Sequence, residues 1–433
     1  MLAASRHLQC VDVPTVERVE RIERAASGCY YSGTRDCGRS VAVAIMNAGA
    51  DSPEPGNGLR RRDVLRGAAA LALGAAVGSL GCAPKKRSRM GTVLGTGRFL
   101  DKDTGQTTYL LALFDLDQSR TRTVPMAFFG HGFAPDPKSL PRGVIFEKKG
   151  RGCCEVDLAA GRVVRPIETA SNRAFYGHGA FSRDGQLLFA TENQLDTKDG
   201  LIAVRDGRTL KELGQFPTYG KSPHDCHLID AGRTLAITNG GGTFADPSPE
   251  AAPSVTFVEV ASAKLLEKLT FETPRINAGH LALSARRDLV AISAPRDGLP
   301  TSDPGGITVR SGGSSFATLT EPRDVMARMV GETLSLCIDE RSSVVAATNP
   351  DGNLVTFWDL ISRRYVKHLD LPAPRGLTRT LDGEYFVLSY GRESGILTLV
   401  SPATLEPVPL HRVDRAPVSG SHLFTWDEAP AQA

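Results

Sequence analysis

Beyond residue 90 the chain is written in short apolar runs separated by turns rich in Gly, Asp, Asn and Pro. The runs at 109–114, 187–191, 235–238, 290–293, 344–348 and 385–389 have strand length, and no sustained helical periodicity competes with them. The clearest stretch runs from Gly177-His178-Gly179-Ala180-Phe181-Ser182 through the turn Asp184-Gly185 to Leu187-Leu188-Phe189-Ala190-Thr191. A polar entry with a histidine leads into a strand, a tight turn and a second strand ending in Thr. Related segments begin at His224, His280, Ser335 and Arg375, with weaker echoes at His131 and His422. A third, alternating strand follows, as in Leu354-Val355-Thr356-Phe357-Trp358-Asp359, and then a fourth, as in Tyr365-Val366-Lys367-His368-Leu369. Four antiparallel strands per unit make one propeller blade.

The anchors His131, His178, His227, His280, Ser335, Gly376 and His422 lie 47, 49, 53, 55, 41 and 46 residues apart. That period predicts an all-β, seven-bladed β-propeller of four-stranded antiparallel blades over 91–433. The last anchor lies close to the C-terminus, so the final blade needs a strand from the other end, at 91–100. Such closure leaves no free sheet edge.

Composition suits many turns and a large core: of 433 residues 41% are hydrophobic, with 44 Gly and 27 Pro. The formal net charge of +3 falls to +1 once residues 1–81 are set aside. No basic field is present to recruit nucleic acid.

The N-terminal region carries a targeting pattern. Arg60-Arg61-Arg62-Asp63-Val64-Leu65-Arg66 precedes an Ala/Gly-rich apolar run from Gly67 to Gly81. This resembles a twin-arginine export signal with Arg61 and Arg62 as its pair, and makes the twin-arginine translocase a partner and the periplasm the destination. The apolar run is too short and Gly-rich to span a bilayer. Leu80-Gly81-Cys82 partly matches a lipoprotein box, so lipidation of Cys82 and plain release after small residues both fit. A lipid on Cys82 would be the one membrane attachment. Residues 1–45 make little sense ahead of such a signal and read as a start-site overcall, with the signal at 46–81 and a basic tether at 82–90. Three of the eight cysteines, Cys10, Cys29 and Cys37, fall in that overcall. Cys153 and Cys154 read as two buried thiols rather than a strained vicinal disulfide. Cys226 and Cys337 read as core residues at near-equivalent repeat positions.

Histidine recurs in five of the seven units and brings candidate chemistry. His131, His178, His224 or His227, His280 and His422 are expected near the channel, where imidazoles suit Fe, Cu, Zn or a haem axial position. Glu192, after the second strand of the clearest unit, joins them as a carboxylate candidate. Strand alternation puts His224 with Cys226 on one face and Asp225 with His227 on the other, unless a turn at Pro223 relaxes it. The bland alternative is that Gly-His pairs are structural and that Asn239 and Asn349 are turn residues. Arg173, Arg323, Arg375 and Arg392, near strand ends, are candidates for an anionic ligand. There is no Cys-x-x-Cys-His haem motif, phosphate loop or nucleophile elbow.

Phe175-Tyr176-Gly177-His178-Gly179-Ala180-Phe181-Ser182 with Thr191-Glu192-Asn193, and Ser222-Pro223-His224-Asp225 with Thr238-Asn239-Gly240-Gly241, resemble a bacterial exported family known as domain of unknown function 1513. The resemblance covers most of 91–433. It implies a seven-bladed propeller encoded beside imelysin-type iron-uptake proteins and haem-containing oxidases. Two features depart from the family pattern: a short Pro/Ala-rich loop after Gly242, and Gly279 where a basic residue is expected before His280. The resemblance implies a role in periplasmic iron handling and brings no established activity. With the histidine-bearing repeat and the export signal, the first expectation is a non-enzymatic propeller of an iron-acquisition system, binding metal or haem in the channel or docking imelysin-type or haem-containing periplasmic proteins. Two rivals stay open. One is a metal-dependent hydrolase or oxidoreductase, with His178, Glu192, His227 and His280 around a metal-activated water. The other is a pure interaction scaffold, whose histidines would not converge.

Overall fold

The computed structural model describes residues 89–392 and 394–427. The overcall at 1–45, the export pair Arg61 and Arg62, the lipidation candidate Cys82 and most of the tether lie outside the described residues. Within them the fold is all-β, and the one α-helix is the six-residue Arg323–Arg328. No helix among the described residues is long and apolar enough to cross a membrane.

The strands group in fours. Five four-stranded antiparallel sheets stand alone, and a sixth, eight-stranded sheet holds two further sets linked by the pairing of Arg142–Gly150 with Arg173–Phe181. In chain order the sets cover 130–166, 173–221, 223–270, 281–318, 335–370 and 377–416. The remaining set joins the two ends of the propeller: Leu423–Trp426 pairs with Thr92–Leu100, which continues through Thr107–Asp115 to Arg120–Met126. The strand expected at 91–100 therefore closes the sheet as anticipated.

The cores lie between neighbouring sets, because each sheet buries both faces. Val290, Ile292 and Ile307 of one set pack with Val345, Leu354 and Trp358 of the next. Leu94, Leu111 and Leu113 pack with Ile145 and Val156 in the same way. Truncating a fully buried aromatic such as Trp358 costs about 3–5 kcal/mol. The adjacent thiols follow strand alternation into two different cores, Cys153 with Phe146 and Phe175, Cys154 with Leu111 and Trp426. Both are free, as expected.

The Thr or Ser that ends the second strand has a defined task. The anchor amides of Asp225, Ser335 and Gly376 each donate to the hydroxyl thirteen residues on, in Thr238, Thr348 and Ser389, at 2.9–3.1 Å. Three second-strand hydroxyls also reach across to the set that follows. Thr96 donates to the Gly130 carbonyl (2.7 Å), Thr238 to that of Gly279 (2.5 Å) and Thr348 to that of Arg375 (2.7 Å). Each acceptor immediately precedes an anchor, so the latches fix where His131, His280 and Gly376 enter the centre.

The thirteen-residue rule corrects two repeat assignments. In the unit beginning at Pro223 the anchor is Asp225, not His227. Cys226 pairs with Ile237, one before its Thr, whereas Cys337 pairs with Ala346, two before its Thr, so the two cysteines are one register step apart.

Candidate metal centre

Five histidines from five sets meet at the centre. His131 and His178 lie on the first strands Gly130–Pro135 and Arg173–Phe181, and His224 on Pro223–Ile229. His280 and His422 stand one residue before Leu281–Leu283 and Leu423–Trp426. All five are buried. Gly177 makes room for this packing: its φ is +118°, and a Cβ there would lie 2.6 Å from the His131 ring.

The ring nitrogens converge. Nε2 of His224 lies 2.9 Å from Nε2 of His280 and 3.4 Å from Nε2 of His131, which is 3.3 Å from Nε2 of His422. His131, His178, His280 and His422 each offer one nitrogen within 4.8 Å of the other three. Nε2 of His178 is buried with no hydrogen-bond partner. Metal–nitrogen bonds of about 2.0–2.1 Å give polyhedron edges of about 2.9–3.4 Å, the spacing of these contacts.

The outward nitrogens explain why the inward ones carry lone pairs. Asp225 lies beneath the ring, with Oδ1 3.5 Å from Nδ1 of His178 and Oδ2 3.6 Å from Nδ1 of His280. It also accepts the Leu281 amide at 3.2 Å. A carboxylate there holds the proton on Nδ1 and leaves Nε2 bare, the usual support for metal-binding imidazoles. The Ser335 hydroxyl lies 3.3 Å from Nδ1 of His422 and serves that ring alike. Burial of the Asp225 carboxyl would raise its pKa, but the facing His227 and His178 hold it well below the ordinary value. Burial is the main cause that pushes His131, His224 and His422 well below 6.5 and His178 down to about 3. The Lys148 ammonium pushes all four the same way. These rings are neutral at pH 7, the form that binds metal.

The ring separates two cavities. One, of about 450 Å³, opens on His178, His280, His422 and Ser335 and is walled by Phe133, Phe181, Leu336, Leu377 and Phe424. The other, of about 280 Å³, opens on His224 and is lined by Lys148, Tyr176, Asn193, Lys198 and Glu332.

Two of the seven candidate ligands stand apart. His227 has a half-exposed side chain, and its Nε2 lies 3.1 Å from Asp225 on the side away from the ring. Glu192 is fully buried elsewhere: it accepts from Arg205 (2.8 Å) and from the Thr169 hydroxyl (2.5 Å), with Arg173 at 3.4 Å. It is a structural ion pair, so the carboxylate expected at the metal is absent from the ring. The strict alternation expected at His224 also fails. The register shifts between Pro223 and Cys226, so His224 turns to the ring and Asp225 beneath it, while Cys226 enters the core with Phe189 and Ile237.

The arginines do not converge. Arg173 is held by Glu212 and Gln215, Arg323 by Glu321 and Arg392 by Asn353, while Arg375 is tied to the Gly420 carbonyl. Asn349 is a turn residue, as its Oδ1 accepts the Gly352 amide at 2.8 Å. Asp225 is the site residue that sequence reading passed over; aligning the units on the Thr thirteen residues downstream would have placed it at the His178 position.

A family model described as "Protein of unknown function (DUF1513)" matches residues 124–415. No curated protein matches the chain. Among solved structures, a hypothetical selenium-binding protein from Sulfolobus tokodaii is similar with a TM-score of 0.57 at 12% identity, over 75% of this chain and 91% of its own. Hydrazine synthase of Kuenenia stuttgartiensis gives 0.54 at 12% identity, over 75% of this chain and all of its own. The dihydro-heme d1 dehydrogenase NirN in complex with DHE gives 0.50 at 13% identity, over 81% and 78%. At such identities the likeness is one of fold: these neighbours share the propeller-like architecture.

Proposed function

The chain belongs to the DUF1513 family, and from that premise and the histidine ring we propose that it is a metal-binding propeller, exported to the periplasm, that serves iron acquisition. One observation carries the metal reading: buried His131, His178, His280 and His422, from four sets, each bring a ring nitrogen within 4.8 Å of the other three, and a fifth imidazole, His224, brings its Nε2 to 2.9 Å from His280 and 3.4 Å from His131. Imidazoles at these distances either share N–H···N hydrogen bonds or hold a cation, and the buried, unpartnered Nε2 of His178 favours the cation. The donor set is all nitrogen, which suits Fe, Co, Ni, Cu or Zn rather than Mg or Ca. Five rings packed edge-to-face or tilted at centroid distances of 4.1–5.7 Å leave no slot for a macrocycle, which favours a bare ion over haem. Export, a lipid on Cys82 and partnership with imelysin-type or haem-containing proteins belong to the same proposal and rest on the leader and the family.

Metal analysis by plasma mass spectrometry of the purified full chain tests the ion. About one transition metal per chain is expected, falling below about a tenth in His178→Ala/His280→Ala. A chain that retains none and takes up none when offered iron, copper or zinc sinks the reading.

A second reading, a metal-dependent enzyme, draws on the 450 Å³ cavity that reaches three of the rings, because a ligand entering there would meet the ion.

A further inference from the structure

The smaller cavity poses an electrostatic problem that the ring alone does not solve. Lys148 lines it beside His224, and its positive charge acts on His131, His178, His224 and His422. A fixed ammonium facing a site for a divalent cation opposes metal binding. Glu332 offsets this only in part: its carboxylate lies 3.6 Å from Lys148, and its side chain is 37% exposed. Lys198 is engaged by Asp297 at 3.2 Å. An ammonium and a metal ion on either side of one small cavity stabilise an anion between them.

The cavity supports such an occupant. The volume of about 280 Å³ suits an inorganic anion or a small carboxylate. The opposite cavity is walled by Phe and Leu side chains and sets Asp225 as well as Arg183 in its lining, so it is the less favourable of the two for an anion.

We propose that the Lys148 side of the ring is an anion subsite, where a small anion with an oxygen or nitrogen donor completes the coordination of the ring-held metal and Lys148 is its counter-cation. This rests on the metal reading above. It makes Lys148 a residue that selects the metal's external ligand without touching the metal.

The test uses the full chain loaded with Co²⁺, titrated with azide and with acetate while the visible spectrum is recorded and bound cobalt is counted. Both anions should shift the cobalt bands. Lys148→Met should weaken them about tenfold or more at unchanged cobalt content, Lys148→Arg should hold affinity within a few-fold, and Glu332→Gln should tighten it. Cobalt bound with no anion response, or with equal affinity in Lys148→Met, overturns the subsite alone. Failure to bind cobalt overturns the metal reading and the subsite with it.

Discussion

Two buried polar clusters in this propeller obey opposite rules. Around Glu192 every charge has its complement: Arg205 and Arg173 face the carboxylate, Thr169 donates to it, and Glu212 takes the far side of Arg173. At the axis five imidazoles pack ring nitrogen against ring nitrogen, with contacts down to 2.9 Å, and the charges Asp225 and Lys148 stand outside the ring. The first cluster is paired by the chain itself except at Nε of Arg205. The second leaves Nε2 of His178 unpartnered among packed ring nitrogens, where the proposed metal would sit. The contrast separates a structural polar core from a binding site without appeal to any relative.

The comparison breaks most readily at Glu192. Glu192→Gln removes the carboxylate that faces buried Arg205, leaving Arg173 to Glu212, and is expected to cost about 3–5 kcal/mol in denaturant melts while metal content stays unchanged. If metal is lost while stability holds, the two clusters are not separate.

Acid should act on the ring. His131, His178, His224 and His422 titrate below 6.5 in the fold and near that value when unfolded, so the unfolded chain binds more protons across the gap. Stability of the metal-free protein therefore falls as pH drops from about 6.5 towards 3, steeply because four groups share the sign. Asp225 adds a further loss only below the ordinary carboxyl value, since its folded pKa is lowered. Melting temperatures across pH 4–7 check this. A flat profile would mean the rings take up protons in place.

The mildest change sharpens the boundary of the site. Asp225→Asn keeps the shape beneath His178 and His280 but removes the charge that fixes their tautomers. Metal affinity should fall about 10–100-fold by competition titration, with the fold intact. Unchanged affinity would reduce Asp225 to a packing residue.

Much of the fold was legible from short apolar runs, Asp-Gly turns and a regular period, because strand pairing is local and turn chemistry is explicit. The Thr191, Thr238 and Thr348 positions were visible too, though the role of Thr238 and Thr348 as latches between sets was not. Of the candidate ligands, His131, His178, His224, His280 and His422 do meet, whereas Glu192 and His227 do not. Glu192 misled because a carboxylate at a strand end looks the same whether it faces an axis or an arginine one strand over.

The sequence by itself determined a repeated β architecture, its closure by a strand at 92–100 and one histidine in most of its units, since each follows from near neighbours along the chain. Tertiary structure alone decided which side chains face the axis. A one-residue register shift after Pro223 sends both His224 and Asp225 inward, and the ring is assembled from residues up to 291 positions apart. Side-chain direction in a strand flips with every residue, so a single irregularity, which Pro223 allowed for but did not dictate, determines whether a histidine reaches the ring or stands aside.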